Sequence, residues 1–251
     1  MANPVLSEKI FRNSAATSTD NGVMTVKGTA SKSLVLILML LAGAMYTWKV
    51  AYEAINPASV QPWLWGGVIG GFVVAMIISF KPNLAQYLAP IYAVLEGLFL
   101  GAISAMFNQA FATTAPGIVM NATLLTILTA VVMFIIYRAN IIKIDSRFAR
   151  IMTIAVGAIA LYYLVSWILT LFGVNLVLLH GSGPLSIGIS LVIIGVAAFS
   201  LMLDYDFIVK ASEAGAPKYM EWYGAFGLMV TLVWLYLEIL KVLAKFAGNR
   251  N

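Results

Sequence analysis

The chain has 251 residues, 62% hydrophobic and 10% charged, with a mean hydropathy of +0.95. A soluble domain is nearer half apolar and a quarter charged, so this composition excludes an ordinary water-soluble fold and points to a polytopic α-helical membrane protein. The net charge of +5 is no nucleic-acid signature, because the basic residues fall in loops and at segment ends, where they set topology.

Cysteine is absent, which removes disulfides, thiolate metal sites and cysteine nucleophiles. The single histidine, His180, sits in a predicted loop, so a histidine-built zinc or iron site is excluded within one chain. Met1 to about Ser31 is rich in Ser, Thr, Asn, Ala and Gly without an apolar period, and reads as a flexible tail. It is too long and polar for a signal-peptide n-region. Residues 32–251 then form the transmembrane domain.

Seven apolar segments follow the tail: about Leu34 to Val50, Trp63 to Phe80, Leu88 to Phe107, Ile118 to Tyr137, Ile151 to Phe172, Leu185 to Leu203 and Tyr223 to Val242. Each is near the length of a tilted spanning helix. Trp48, Trp63, Trp65 and Trp222 fall at segment ends, as interfacial anchors do. With the N-terminus inside, eleven of the fifteen Lys and Arg residues lie on the inner side, which fixes that orientation. Seven spans put the C-terminus outside, although Lys241, Lys245 and Arg250 argue mildly against it. Gly66/Gly70, Gly67/Gly71 and Gly97/Gly101 are small-residue pairs at spacing four, read here as ordinary close helix packing.

The acidic residues carry the functional signal. Glu8, Asp20, Asp145, Glu213 and Glu221 fit solvated tail or loop positions, and Glu53 fits the first outer loop. Glu96 lies inside the third segment, Asp204 and Asp206 end the sixth, and Glu238 interrupts the seventh. Between Glu221 and Glu238 run sixteen uncharged residues, about 24 Å of helix. The hydrocarbon core is about 30 Å thick, so a spanning segment cannot keep Glu238 outside it. An ionisable group there is expensive and is a functional candidate by default. The plainer alternatives are an ion pair with Lys241 for Glu238, a hydrogen-bonded acid for Glu96 and a solvated helix end for Asp204. Asp204 and Asp206 face nearly opposite sides of a helix, so only one points into a bundle. Two close carboxylates share a proton in a low-dielectric site, and when ionised they offer the oxygen ligands that Ca²⁺ prefers.

Phe199-Ser200-Leu201, Tyr205-Asp206-Phe207 and Leu235-Tyr236-Leu237-Glu238, with Met24-Thr25-Val26 and Pro217-Lys218-Tyr219-Met220-Glu221-Trp222, resemble the Bax inhibitor family over about residues 24 to 246. The last two stretches look like its bacterial branch. The resemblance implies an all-α fold of seven transmembrane helices with the seventh central among the other six. It implies a calcium leak gated by an acidic pair from helices six and seven, here Asp206 and Glu238, which also makes these two the candidate calcium ligands. Asp204 and Glu96 join them on the candidate pH-sensing and ion pathway, and Lys81 is the candidate basic gate partner. Glu238 stands where relatives often have Asp. Counting along the helices places Asp206 near the inner surface and Glu238 well above it, whereas the resemblance pairs them.

The leading expectation is therefore a proton-sensitive cation leak, with calcium as the ion, in a bacterial cytoplasmic membrane. Its partners are membrane lipid, protons and cations, with no bound cofactor and no nucleic acid. The alternatives are a binding protein that modulates a membrane protease or cell-stress partner, and a proton-coupled transporter. An enzyme is not expected, since neither a Ser-His arrangement nor a metal cluster is visible.

Overall fold

The computed structural model describes residues 22–53, 57–173, 181 and 183–248. His180 and the tail before Gly22 lie outside them. Seven helices are long and apolar enough to cross a membrane. They are α1 (Val26–Glu53), α2 (Gln61–Phe80), α3 (Ala85–Ala110), α4 (Ile118–Arg138), α5 (Ser146–Leu171), α6 (Pro184–Glu213) and α7 (Met220–Gly248). Among the described residues, the sole β pairing is an isolated bridge between Val23 and Pro217. The all-α membrane architecture expected from the apolar segments is the one found.

The helices outrun the apolar segments that mark them. α1 begins at Val26, so a tail boundary at residue 31 falls inside the first helix. α6 continues past Lys210 to Glu213 and ends in a Schellman motif: Gly215 takes φ +70°, its N–H donates to Ser212 O (3.1 Å), and Ala216 N–H donates to Ala211 O (3.1 Å). A left-handed residue is needed there, and glycine adopts it without a Cβ penalty. α5 starts at an N-cap, with the Asp145 side chain accepting from Phe148 N–H at 2.7 Å. α2 stops at Lys81, directly before Pro82.

The described residues divide into two compact units: one takes those from Gly22 to Ala110 together with Phe207–Met229, the other those between Phe111 and Asp206 together with the chain from Val230 to Gly248. In the first, α3 lies against α1 and α2 at backbone contact. A Cβ on Gly97 would sit 2.1 Å from Leu40 O, one on Gly101 2.1 Å from Ala44 O, and one on Gly67 2.7 Å from Leu95 O. The small-residue pairs thus act as packing surfaces, as their spacing suggested. Gly66 is the exception and faces open space.

The same unit fastens the start of α1 to the α6–α7 turn. Met24 N–H donates to Ala216 O (2.7 Å), Lys218 N–H to Gly22 O (3.2 Å) and Ser212 Oγ to Met24 O (3.2 Å). Glu221, in the first turn of α7, is fully buried beneath this strap. Its carboxylate accepts from Thr25 N–H (3.0 Å), Thr25 Oγ1 (2.9 Å) and Lys218 Nζ (3.0 Å), and it pairs with Lys32 Nζ. Lys32 also lies over the Trp222 ring, 5.6 Å from its centroid. Thr25 caps α1, its Oγ1 accepting from Gly28 N–H at 2.9 Å. In a capping box a Glu three residues after the cap accepts from the cap's own N–H. Here that place is held by Gly28, and Glu221 supplies the carboxylate from the far end of the chain. A Cβ on Gly28 would lie 2.1 Å from Glu221 Oε1, so only glycine leaves room for it.

In the second unit Met152 of α5 and Leu203 of α6 are buried together, with Phe148, Ala149, Val156, Val196 and Phe199 around them. Tyr205 of α6 turns toward α4, where its hydroxyl donates to Ala130 O (3.2 Å) and its ring stands edge-on to Phe134 at 5.4 Å.

Candidate functional site

Glu238 is 2% exposed, and three groups converge on its Oε1. Tyr163 of α5 donates its hydroxyl at 2.8 Å, the Trp234 indole N–H donates at 3.2 Å, and Lys241 Nζ lies at 2.6 Å. Trp234, Glu238 and Lys241 are spaced four and three apart, so helical periodicity alone puts them on one face of α7. The Tyr163 hydroxyl also accepts from Lys241 Nζ at 2.9 Å, and the ammonium lies 4.6 Å from that ring's centroid. The result is a closed triangle of carboxylate, phenol and ammonium. The ion pair with Lys241, the plainer of the two readings of Glu238, is what the side chains form.

One turn farther along α7, Lys245 Nζ donates to Ser186 Oγ (2.8 Å), Ser190 Oγ (2.7 Å) and Ser186 O (3.4 Å) at the start of α6. Both serines are buried. Their spacing of four brings the two hydroxyls onto one stripe of α6, where they match a single ammonium.

The other sequence candidates fall elsewhere. Asp204 is fully buried and Asp206 half-buried, so Asp204 is the inward-facing member of those two. Asp206 is not among the partners of Glu238. The residue after it, Phe207, packs edge-on against Tyr223 with ring centroids 6.5 Å apart. Tyr223 precedes Glu238 by fifteen residues, about 22 Å along a helix. The physical reason is the hairpin: α6 ends at Glu213 and α7 starts at Met220, so the turn centres near Ala216, not midway between the two acids. The direct Asp206–Glu238 contact implied by the resemblance is therefore absent from this arrangement.

Glu96, half-buried on α3, belongs to the other unit. It accepts a hydrogen bond from Tyr92 one turn earlier, and its Oε2 lies 3.3 Å from where a Cβ on Gly71 would be. Lys81 is exposed at the end of α2. Among the described residues, no group of three or more His, Asp or Glu side chains is placed to hold a metal ion.

A family described as Bax inhibitor 1 like matches residues 3–248, nearly the whole chain. The chain belongs to that family. No curated protein and no solved structure matches it. The Bax inhibitor resemblance carried by the motifs around Asp206 and Glu238 is thus a property of the full length. It also sharpens what the sequence missed. Glu221, expected in a solvated position, is fully buried and takes bonds from Thr25, Lys32 and Lys218. The signal lay in the two stretches Met24-Thr25-Val26 and Pro217 to Trp222, which the strap brings together, and in Gly28 and Lys32, four apart on one helix face.

Proposed function

We propose that this integral membrane protein of the Bax inhibitor 1 like family is a proton-sensitive cation leak, with Ca²⁺ as the ion carried. Its gating acids are Glu238 of α7 and Asp204 and Asp206 of α6, and its N-terminus faces the cytoplasm. The observation that supports this reading is Glu238 itself. A carboxylate buried deep within a long apolar helix is costly to keep, and such groups usually serve an ion or proton path. Its partners suggest how a proton acts there. Protonation of Glu238 removes the negative charge that holds Lys241 and leaves the Tyr163 hydroxyl without its charged acceptor. The three side chains are then free to adopt a second arrangement, and a two-state gate needs such an alternative.

The test is Ca²⁺ flux into proteoliposomes across pH, for the wild type, Glu238→Gln, Asp204→Asn and Asp206→Asn. Gln keeps the size and hydrogen bonding of Glu while removing its titration. The expected result is a pH-dependent flux whose midpoint moves or vanishes in Glu238→Gln. A wild-type midpoint in all three variants would put the gate elsewhere, and an absence of flux at every pH would remove the leak reading.

A further inference from the structure

We infer that Lys241 is a tethered cation that occupies the cation site on Glu238, and so sets the protein's resistance to divalent ions. The inference rests on reading Glu238 as part of a cation path. The geometry behind it has three parts. First, the ammonium sits 2.6 Å from Oε1, where a bound ion would take its carboxylate ligand, and it also takes the Tyr163 hydroxyl oxygen at 2.9 Å. The carboxylate oxygen that a hard cation would use is therefore spent on Lys241, which the phenol oxygen helps to hold. Second, the pair is graded in depth. The Lys241 side chain is 38% exposed and that of Glu238 2%, so Lys241 is the more open member of the pair and covers a buried carboxylate. Third, Lys245 adds another ammonium one turn on, held by Ser186 and Ser190 on α6. An ion coming from that end of α7 meets two positive charges and one negative, a net repulsive field for a divalent cation.

A surface i,i+3 pair would carry little meaning, because exposed ion pairs contribute almost nothing. This one differs in that its carboxylate is buried and receives two further donors. Removing the ammonium leaves a desolvated carboxylate and a phenol facing a partly open position. Such a position binds a cation in place of the lost one.

Tb³⁺ stands in for Ca²⁺ in the experiment, because Trp234 touches Oε1 at 3.2 Å and sensitises a lanthanide bound there. The full-length protein is titrated with Tb³⁺ in detergent as wild type, Lys241→Met, Lys241→Gln, Lys241→Arg and Lys241→Met/Glu238→Gln. Lys241→Met should saturate its tryptophan-sensitised emission at Tb³⁺ concentrations on the order of tenfold lower than the wild type, a modest figure because the ammonium is partly exposed. Lys241→Arg, which keeps the charge, should match the wild type, and adding Glu238→Gln should abolish the gain. Lys241→Gln carries the same expectation and keeps a hydrogen bond to Tyr163, so it serves if the Met variant fails to fold. Monodisperse Met or Gln variants that bind Tb³⁺ no tighter than the wild type overturn the inference. Ca²⁺ flux in parallel separates the two readings. Gained Tb³⁺ binding without flux in any variant sinks the leak and leaves the role of Lys241 standing. A wild type that leaks, with neutral variants that neither bind nor leak more, sinks Lys241 alone.

Discussion

Gly28→Ala has an expected sign opposite to the usual one. Replacing a helix glycine by alanine ordinarily stabilises by about 0.5–1 kcal/mol, because alanine loses less backbone freedom on folding. Here the new Cβ would lie 2.1 Å from Glu221 Oε1 and 2.4 Å from Cδ, so the carboxylate must leave its seat. Leaving it breaks the bonds to Thr25 N–H and Oγ1 and loosens two ammonium partners. Deleting one partner of a fully buried pair costs about 3–5 kcal/mol. Lys32 and Lys218 are 21% and 47% exposed and recover some water, so about 2–3 kcal/mol is the expected loss for Glu221→Ala. Gly28→Ala should lose roughly half to all of that. The decisive comparison is the double variant. With Glu221 already gone, Gly28→Ala meets no obstacle and should return to stabilising by about 0.5–1 kcal/mol. Gly28→Glu in the Glu221→Ala background should also recover stability, since it restores a capping box within α1. Thermal melts followed by near-UV circular dichroism in detergent resolve these changes, at roughly 2–4 °C per kcal/mol for a chain of this size. If Gly28→Ala raises the midpoint in the wild-type background as well, the carboxylate does not sit over Gly28 and the capping argument fails.

Gly101→Ala should cost about 1–3 kcal/mol by overpacking, because the obstacle is the Ala44 carbonyl, a backbone atom that cannot swing aside; a midpoint unchanged in the same melts would refute the close approach of α1 and α3. Deleting residues 1–21 leaves the strap whole, so the truncated protein should melt like the full chain and, if it is a leak, keep its flux. Deleting residues 1–31 removes Thr25 and Gly28 and should lower the midpoint by at least as much as Glu221→Ala. Flux lost on removal of 1–21 alone, with the melt unchanged, would favour the binding-protein reading.

The seven helices were legible because a membrane leaves few solutions: an apolar run near twenty residues long has to be a helix. Their ends were not, because Val26 to Ser33 and Lys210 to Glu213 carry polar residues that hydropathy assigns to loops. Helix continues there because its end groups find partners: the Thr25 side chain caps α1, and backbone bonds around the left-handed Gly215 close α6. Glu238 was marked by its depth and by the motif that ends in it, and Lys241 by its spacing of three. Tyr163 was not marked, since nothing local distinguishes a tyrosine that meets a carboxylate 75 residues on. The Asp206–Glu238 contact failed for a related reason. A motif gives the order of two acids, but their relative level depends on where the hairpin turns, and Gly215 decides that.

α7 carries two carboxylates, Glu221 and Glu238, and the contrast between them separates fastening from switching. Each is brought into a buried position with ammonium partners: Lys32 and Lys218 for one, Lys241 for the other. Two of the bonds to Glu221 come from Thr25, one of them from its backbone N–H, inside a strap held by main-chain bonds on both sides. A backbone donor cannot turn away, so losing that site means detaching the segment. Glu238 is held by side chains alone, a phenol, an indole and an ammonium, each on bonds that rotate. Rearranging them leaves every helix intact, which is the low-energy alternative a gate requires. Stability measurements therefore belong on Glu221, and flux and ion-binding measurements on Glu238. Exchanging the two should invert the outcome: Glu221→Gln is expected to soften the melt without moving a pH midpoint, and Glu238→Gln to move the midpoint with a smaller change in the melt.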